Sequence, residues 1–158
     1  MINFILFRIN LILNSFRFRL LVLRKGGWVS FRCKLIIHEG SNVSVGNNVK
    51  IAELTKIVVA SNASLNLCDG IIINHLSTIY CRSSIHIGSN TRVSHLVSIV
   101  DHNYHYDHLF GRPDFHSFKA SPISIGSNVW IGATSVILRG SVIPDSTIVP
   151  ALTRFKGA

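Results

Sequence analysis

Aliphatic side chains recur at six-residue spacing through most of this chain. Counting from Ile125 in sixes gives Ile125, Ile131, Ile137, Ile143, Val149 and Phe155, all apolar. Four residues after each of the first five stand Val129, Ser135, Ser141, Thr147 and Thr153, all small or β-branched. A helix repeats its apolar face at three and four residues and a half-buried strand at two, so a strict six is neither as a continuous element. It suits a solenoid whose flat sides each take six residues, a short strand and then a turn. Upstream the spacing recurs in Val45, Ile51 and Ile57, in Leu67, Ile73 and Ile79, and in Ile87, Val93 and Ile99. Three hexads make one triangular coil of about 18 residues.

Between coils the step lengthens, to ten from Ile57 to Leu67 and to eight from Ile79 to Ile87. A corner loop absorbs such additions. Ile-Gly-Ser-Asn occurs twice, at Ile87 to Asn90 and at Ile125 to Asn128. Gly and Asn suit corners because both tolerate left-handed backbone. One coil cannot bury its inward side chains alone, whereas stacked coils bury a continuous apolar column and pair their strands in parallel. The expected fold is therefore all-β: a parallel β-helix over residues 26–158, preceded by a basic amphipathic segment over 1–25. The repeat breaks once, in a loop excursion over 101–122.

The net charge of +9 arises from 16 Lys and Arg against 7 Asp and Glu, and it is uneven. Residues 1–38 hold Arg8, Arg17, Arg19, Arg24, Lys25, Arg32 and Lys34 and no acid. A uniformly basic surface would point to nucleic acid; a basic end points to a segment with its own task, and no nucleic-acid partner is expected. That end is also apolar, at Phe4 to Phe7, Leu11 to Leu13 and Leu20 to Leu23, with Asn and Arg between. No run reaches the roughly 18–20 apolar residues of a spanning helix. The charged start and small-residue cleavage site of a signal peptide are lacking. Two readings stay open for residues 1–24: a helix lying in an anionic membrane surface, or one packed on the fold or on a neighbouring subunit. The three cysteines, Cys33, Cys68 and Cys81, are odd in number and contain no C-x-x-C, which indicates neither a disulfide framework nor a metal site. Cys68 and Cys81 read as coil filler. The expected compartment is the cytosol, at the inner face of the membrane if the first segment binds there.

Over residues 35–155 the chain resembles the hexapeptide-repeat acyltransferases. Ile99-Val-Asp-His-Asn-Tyr-His-Tyr-Asp-His108 and Pro122-Ile-Ser-Ile-Gly-Ser-Asn-Val-Trp-Ile-Gly132 narrow the likeness to the sugar O-acetyltransferase branch, which includes the galactoside, maltose and surface-polysaccharide acetyltransferases. The resemblance implies a left-handed coil, a homotrimer with sites between subunits, acetyl-CoA as acyl donor, and a sugar or polysaccharide acceptor. It implies that His102, where the repeat breaks, is the catalytic base. A sugar hydroxyl must lose its proton as it attacks a thioester, and histidine as a residue type gains and loses a proton near neutrality. His105 and Tyr104 in the excursion, and Asn74 one coil before His102, are the expected acceptor-binding residues, with His105 also the runner-up for the base. Trp130, Gly132, Ala133 and Ala151 are the expected coenzyme-binding residues, with Arg139, Arg154 and Lys156 as candidates for its phosphates. Asp101 is not expected to orient His102, because neighbours on an extended strand point apart.

The excursion also holds His108 and His116. Family members usually continue through a further turn, and their Gly-Ala-Gly-Ser appears here as Pro150-Ala-Leu-Thr153, so an incomplete coenzyme site is one expectation. Two alternatives remain: N-acetylation of an amino or nucleotide sugar, and a non-catalytic trimeric scaffold. A carbonic anhydrase on the same coil would need two histidines five apart, and this sequence has no such pair.

Overall fold

A computed structural model describes residues 2–107 and 111–156. The hexads build three flat faces, visited in rotation. The first stacks Trp28–Val29, Lys50–Ile51, Ile72–Ile73, Arg92–Val93, Trp130–Ile131 and Ile148–Val149, in that order. The second stacks Lys34–Ile37, Lys56–Val59, Thr78–Cys81, Ser98–Val100, Val136–Leu138 and Arg154–Phe155. The third stacks Asn42–Val45, Ser64–Leu67, Ser84–Ile87, Ile123–Ile125 and Val142–Ile143. Pairing within each face is parallel, with Ile51 opposite Ile73 and Ile79 opposite Ile99. This is the β-helix that the six-residue spacing predicts.

Every aliphatic hexad residue from Val45 to Val149 named above is buried. The small residues four places later serve a second purpose. Thr55, Ser77, Thr91 and Ser135 are buried and donate to Asn74 O, Ser94 O, Gly126 O and Pro150 O in the next coil, at 2.9–3.1 Å. A buried hydroxyl is tolerated only when it is so satisfied. Coil stacking leaves no room at Gly132, where an added Cβ would fall 2.4 Å from the backbone nitrogen of Ala151.

The corners differ in chemistry. Between the third and first faces stand Asn48, Gly70, Asn90 and Asn128, all with positive φ as expected of those residue types, and Ser146 in the last coil. Between the first and second faces the left-handed position is instead taken by Leu54, Leu76, Leu96, Thr134 and Leu152, with φ of 60, 58, 59, 62 and 62. Left-handed backbone costs a non-glycine residue about 1–2 kcal/mol, and all four leucines are exposed. The lengthened steps all fall at the third corner, between the second and third faces.

The helix Ile2–Arg24 lies across the first coil. Phe18 and Val22 are buried on the core. Polar groups beside them cap the open edge of the second face. Arg19 donates to Ser30 O at 2.7 Å and Cys33 O at 2.8 Å, Ser15 Oγ to Leu35 O at 2.8 Å, and Asn14 to Ile37 O at 3.2 Å. An uncovered strand edge is a liability, and this one is partnered. Packing on the fold is thus one role of the segment. No helix among the described residues is long and apolar enough to cross a membrane.

The excursion is more regular than the loop expected. His102–Asp107 pairs antiparallel with Arg112–Ala120, forming a hairpin that leaves the coil at Asp101 and returns at Ser121. Alternation of Tyr104 and Tyr106 and a left-handed Gly111 are the signals that mark it.

Candidate active site

The hairpin overhangs the second face and closes a cleft of ≈ 280 Å³. His38, Tyr80, Arg82, His102, Tyr104 and Phe118 are its polar and aromatic walls, and Val58, Ala60 and Val100 its floor. The floor and lower wall follow from stacking. Val58, Tyr80 and Val100 share one register column, and the column just past the strand ends carries His38, Ala60, Arg82 and His102.

His102 has a side chain 14% exposed, set between Tyr80 and Phe118, whose ring centroids lie 6.2 and 5.6 Å away, both edge-on. Its Nδ1 is 3.1 Å from Asp101 Oδ1. This corrects the expectation for Asp101. Strand geometry ends at Val100, the backbone bends at Asp101, and the carboxylate turns inward to full burial yet reaches back to the ring. It also accepts the N–H groups of Arg82 at 2.8 and 3.0 Å and of Ser83 at 2.7 Å. A carboxylate engaged only as acceptor makes Nδ1 the donor and leaves Nε2 with its lone pair.

Cys81 borders the same cleft. Burial, and then the neighbouring Asp101 charge, push its thiol up to about 12. It stays protonated near neutrality and is no nucleophile. Burial likewise raises Cys33 and Cys68.

Of the other expected site residues, Tyr104 lines the cleft, and its ring stacks near Phe118 at 4.9 Å. His105 lies opposite Asp114 within the hairpin and does not line it. His108 lies outside the described residues, as does the side chain of His116. Asn74 sits at a different corner, between the first and second faces, where its amide donates to Val93 O at 3.1 Å. That corner also stacks Gly132, Ala133 and Ala151, with Leu152 N–H donating to Ala133 O at 2.9 Å. Trp130 is two residues before Gly132, on the first face, with its indole exposed and Nε1 held by Ser94 Oγ at 3.1 Å. Gly132 is buried and its N–H donates to Val149 O at 2.8 Å, while Trp130 and Ala151 are exposed. Arg154 and Lys156 are exposed on the second face, while Arg139 is held at Ser121 Oγ. Within one chain, the His102 cleft and the Trp130 corner are therefore separate.

Tyr80, Arg82, His38 and Phe118 join the site without any sequence motif to mark them. Aligning the coils by stacked position, instead of by hexad alone, brings His38 and Arg82 beneath His102. Among the described residues no cluster could hold a metal ion.

No family model matches the chain. It is 24% identical over 138 residues to the protein named "Putative lipopolysaccharide biosynthesis O-acetyl transferase WbbJ" of Escherichia coli (strain K12), covering 80% of this chain and 70% of that one. AntD, an N-acyltransferase from Bacillus cereus solved with dTDP and 3-hydroxybutyryl-CoA, superposes with a TM-score of 0.59 at 17% identity, over 85% of this chain and 78% of that one. A point mutant of AntD, solved with dTDP and coenzyme A, gives 0.60 at 16% identity, over 86% and 78%. These two structures share the fold.

Proposed function

We propose that this chain, a β-helix of the hexapeptide-repeat acyltransferase type, moves an acetyl group from acetyl-CoA to a sugar hydroxyl in the assembly of a bacterial surface glycan. The observation that carries the reading is the Asp101–His102 pair, oriented into a cleft at the one break in the coil. The likeness to a protein named as a lipopolysaccharide O-acetyl transferase supports the acceptor class.

Asp101 fixes the Nδ1–H tautomer, and Nε2 of His102 takes the acceptor's hydroxyl proton as that oxygen attacks. The thioester supplies an acetyl carbon already activated for attack. The new C–O bond forms as the C–S bond breaks, and the proton held on Nε2 leaves with the thiolate. Tyr80, Phe118 and Tyr104 hold the sugar ring. Trp130, Gly132, Ala133 and Ala151 hold the coenzyme arm, with Arg154 and Lys156 toward its phosphates. The protonated Cys81 fits direct transfer without a covalent enzyme intermediate.

The two half-sites lie at different corners of one triangular coil. A homotrimer would set the Trp130 corner of one subunit beside the His102 cleft of the next. The stacked, exposed Leu54, Leu76 and Leu96 near the former corner, with Leu152 beyond Thr134, fit such an interface. Asn74 would then meet the acceptor across it. The outward face of the helix, Ile9, Ile12, Leu13, Phe16, Leu20 and Leu23, is exposed and flanked by the exposed Arg17, Arg24 and Lys25. Such a face suits an anionic membrane surface, which would place the enzyme at the cytoplasmic side where lipid-linked glycans are built.

The test is thiol release from acetyl-CoA with a panel of sugars. Release that needs an acceptor and is lost in His102→Ala supports the reading. Release unchanged in that variant, or absent with every sugar and without coenzyme binding in calorimetry, refutes it.

A further inference from the structure

We infer that the acceptor taken by the His102 cleft carries an anionic group, which Arg82 reads. The inference rests on the acetyl-transfer reading for the identity of the cleft, and on the cleft's charge for the rest. Arg82 lies one coil beneath His102. Its guanidinium carbon sits 3.6 Å from the centroid of the Phe118 ring. Stacking of this kind fixes the plane of the group and leaves its N–H edge to a partner, which is the arrangement arginine uses for bidentate oxyanions. That edge meets no carboxylate among the described residues. Asp101, the carboxylate that touches His102, is fully buried and is taken up by backbone N–H groups and by His102.

Lys56, beside the cleft and outside its lining, carries the same sign. The Lys56 ammonium hydrogen-bonds the Tyr80 hydroxyl and lies 4.8 Å over that ring, and Lys34 is its register partner one coil below. No Asp or Glu is among the described residues lining the cleft. Arg82 is a cation of the lining that no lining acid balances, and a neutral sugar gains nothing from it. An acceptor bearing an oxyanion gains charge-assisted hydrogen bonds from Arg82 and attraction from Lys56. A sugar carboxylate and a sugar phosphate share this chemistry, so the experiment separates them.

The thiol-release assay is run with methyl glucuronoside and N-acetylneuraminic acid as carboxylates, glucose 1-phosphate as a phosphate, and methyl glucoside and methyl galactoside as neutral sugars. At least one anionic class is expected to exceed the neutral sugars by about tenfold or more in kcat/KM. In Arg82→Gln that ratio collapses toward one, mainly through KM, and it recovers in part in Arg82→Lys. The Arg82 backbone N–H to Asp101 survives both changes, and a thermal melt checks folding. Neutral sugars used as well as anionic ones, or a preference that survives Arg82→Gln, overturns the inference. A separate readout does not depend on turnover: NMR shifts of the Phe118 ring protons, stacked on Arg82, on titration with the same anionic sugars. Shifts lost in Arg82→Gln support anion recognition even if no acetyl is transferred. Absence of shifts with all three anions refutes it.

Discussion

Asp101 and His102 are consecutive residues whose side chains nevertheless meet, Oδ1 to Nδ1 at 3.1 Å. The contact is built by the end of a strand: Val100 is the last residue in coil register, and the bend after it brings the buried carboxylate under the ring. Asp101→Asn tests what that contact does. An amide in its place can donate to Nδ1 and shift the ring proton to Nε2, so the lone pair of the proposed base is lost. The expected fall in kcat is about 10²- to 10⁴-fold, with a much smaller change in KM. The ¹⁵N shifts of the His102 ring would report the change of tautomer, which a merely structural role of Asp101 would leave alone. An unchanged tautomer with unchanged kcat refutes the positioning role.

The chemistry of Cys81 gives a second prediction. Its thiol is pushed up to about 12, first by burial and then by the Asp101 charge. At pH 8 the thiolate fraction is then about 10⁻⁴, and alkylation by iodoacetamide in the native protein should be slower at Cys81 than in urea by orders of magnitude. The linkage has a definite sign. The folded state holds the proton more tightly than the unfolded chain, whose thiol titrates near its ordinary value of 9.0. The contribution to stability is full below about pH 9 and is lost as pH rises toward about 12. Native labelling as fast as in urea would overturn the assignment.

The coil is legible in the sequence because its cause is local and repeated. Each hexad from Val45 to Val149 needs an inward aliphatic residue, and no other element asks for a six. The site is legible only in part. His102 announces itself by interrupting the repeat, whereas Arg82, Tyr80 and His38 reach the same cleft through stacking between coils, which joins residues about 20 apart. Asp101 departs from expectation because strand alternation stops one residue before it. The leucine corner is hidden because Leu76 and Leu96 look like ordinary apolar residues, and only their positive φ sets them apart.

Those leucines carry the third prediction. Leu54, Leu76 and Leu96 are exposed and left-handed, a combination that asks for a partner surface. Replacing all three by Asn places a residue tolerant of that backbone at each corner. Each chain should keep its fold by circular dichroism. Sedimentation velocity should show the proposed homotrimer dissociating to monomer, and the proposed acetyl transfer should fall with it. An oligomer unchanged by the triple substitution would remove this corner from the interface.

The N-terminal helix packs one face on the coil and leaves another exposed, and substitutions can address the two faces one at a time. Arg19 points inward and donates to Ser30 O and Cys33 O at the open strand edge. Arg19→Ala leaves those carbonyls without their charged donor, so stability should fall by about 1–3 kcal/mol. For a chain of this size that is a Tm lowered by several degrees. Ile12 and Phe16 point outward and are 68% and 61% exposed. Changing both to Asp should leave Tm nearly unaltered, because neither side chain contributes to the buried core. The same double substitution places two negative charges on the face proposed to meet anionic lipid, where apolar burial and basic attraction both act. Flotation with vesicles containing phosphatidylserine should then be lost for Ile12→Asp/Phe16→Asp and retained for Arg19→Ala below its Tm. Flotation that survives the double substitution, or a Tm that falls with it, would mean that this face is already covered in the assembled protein.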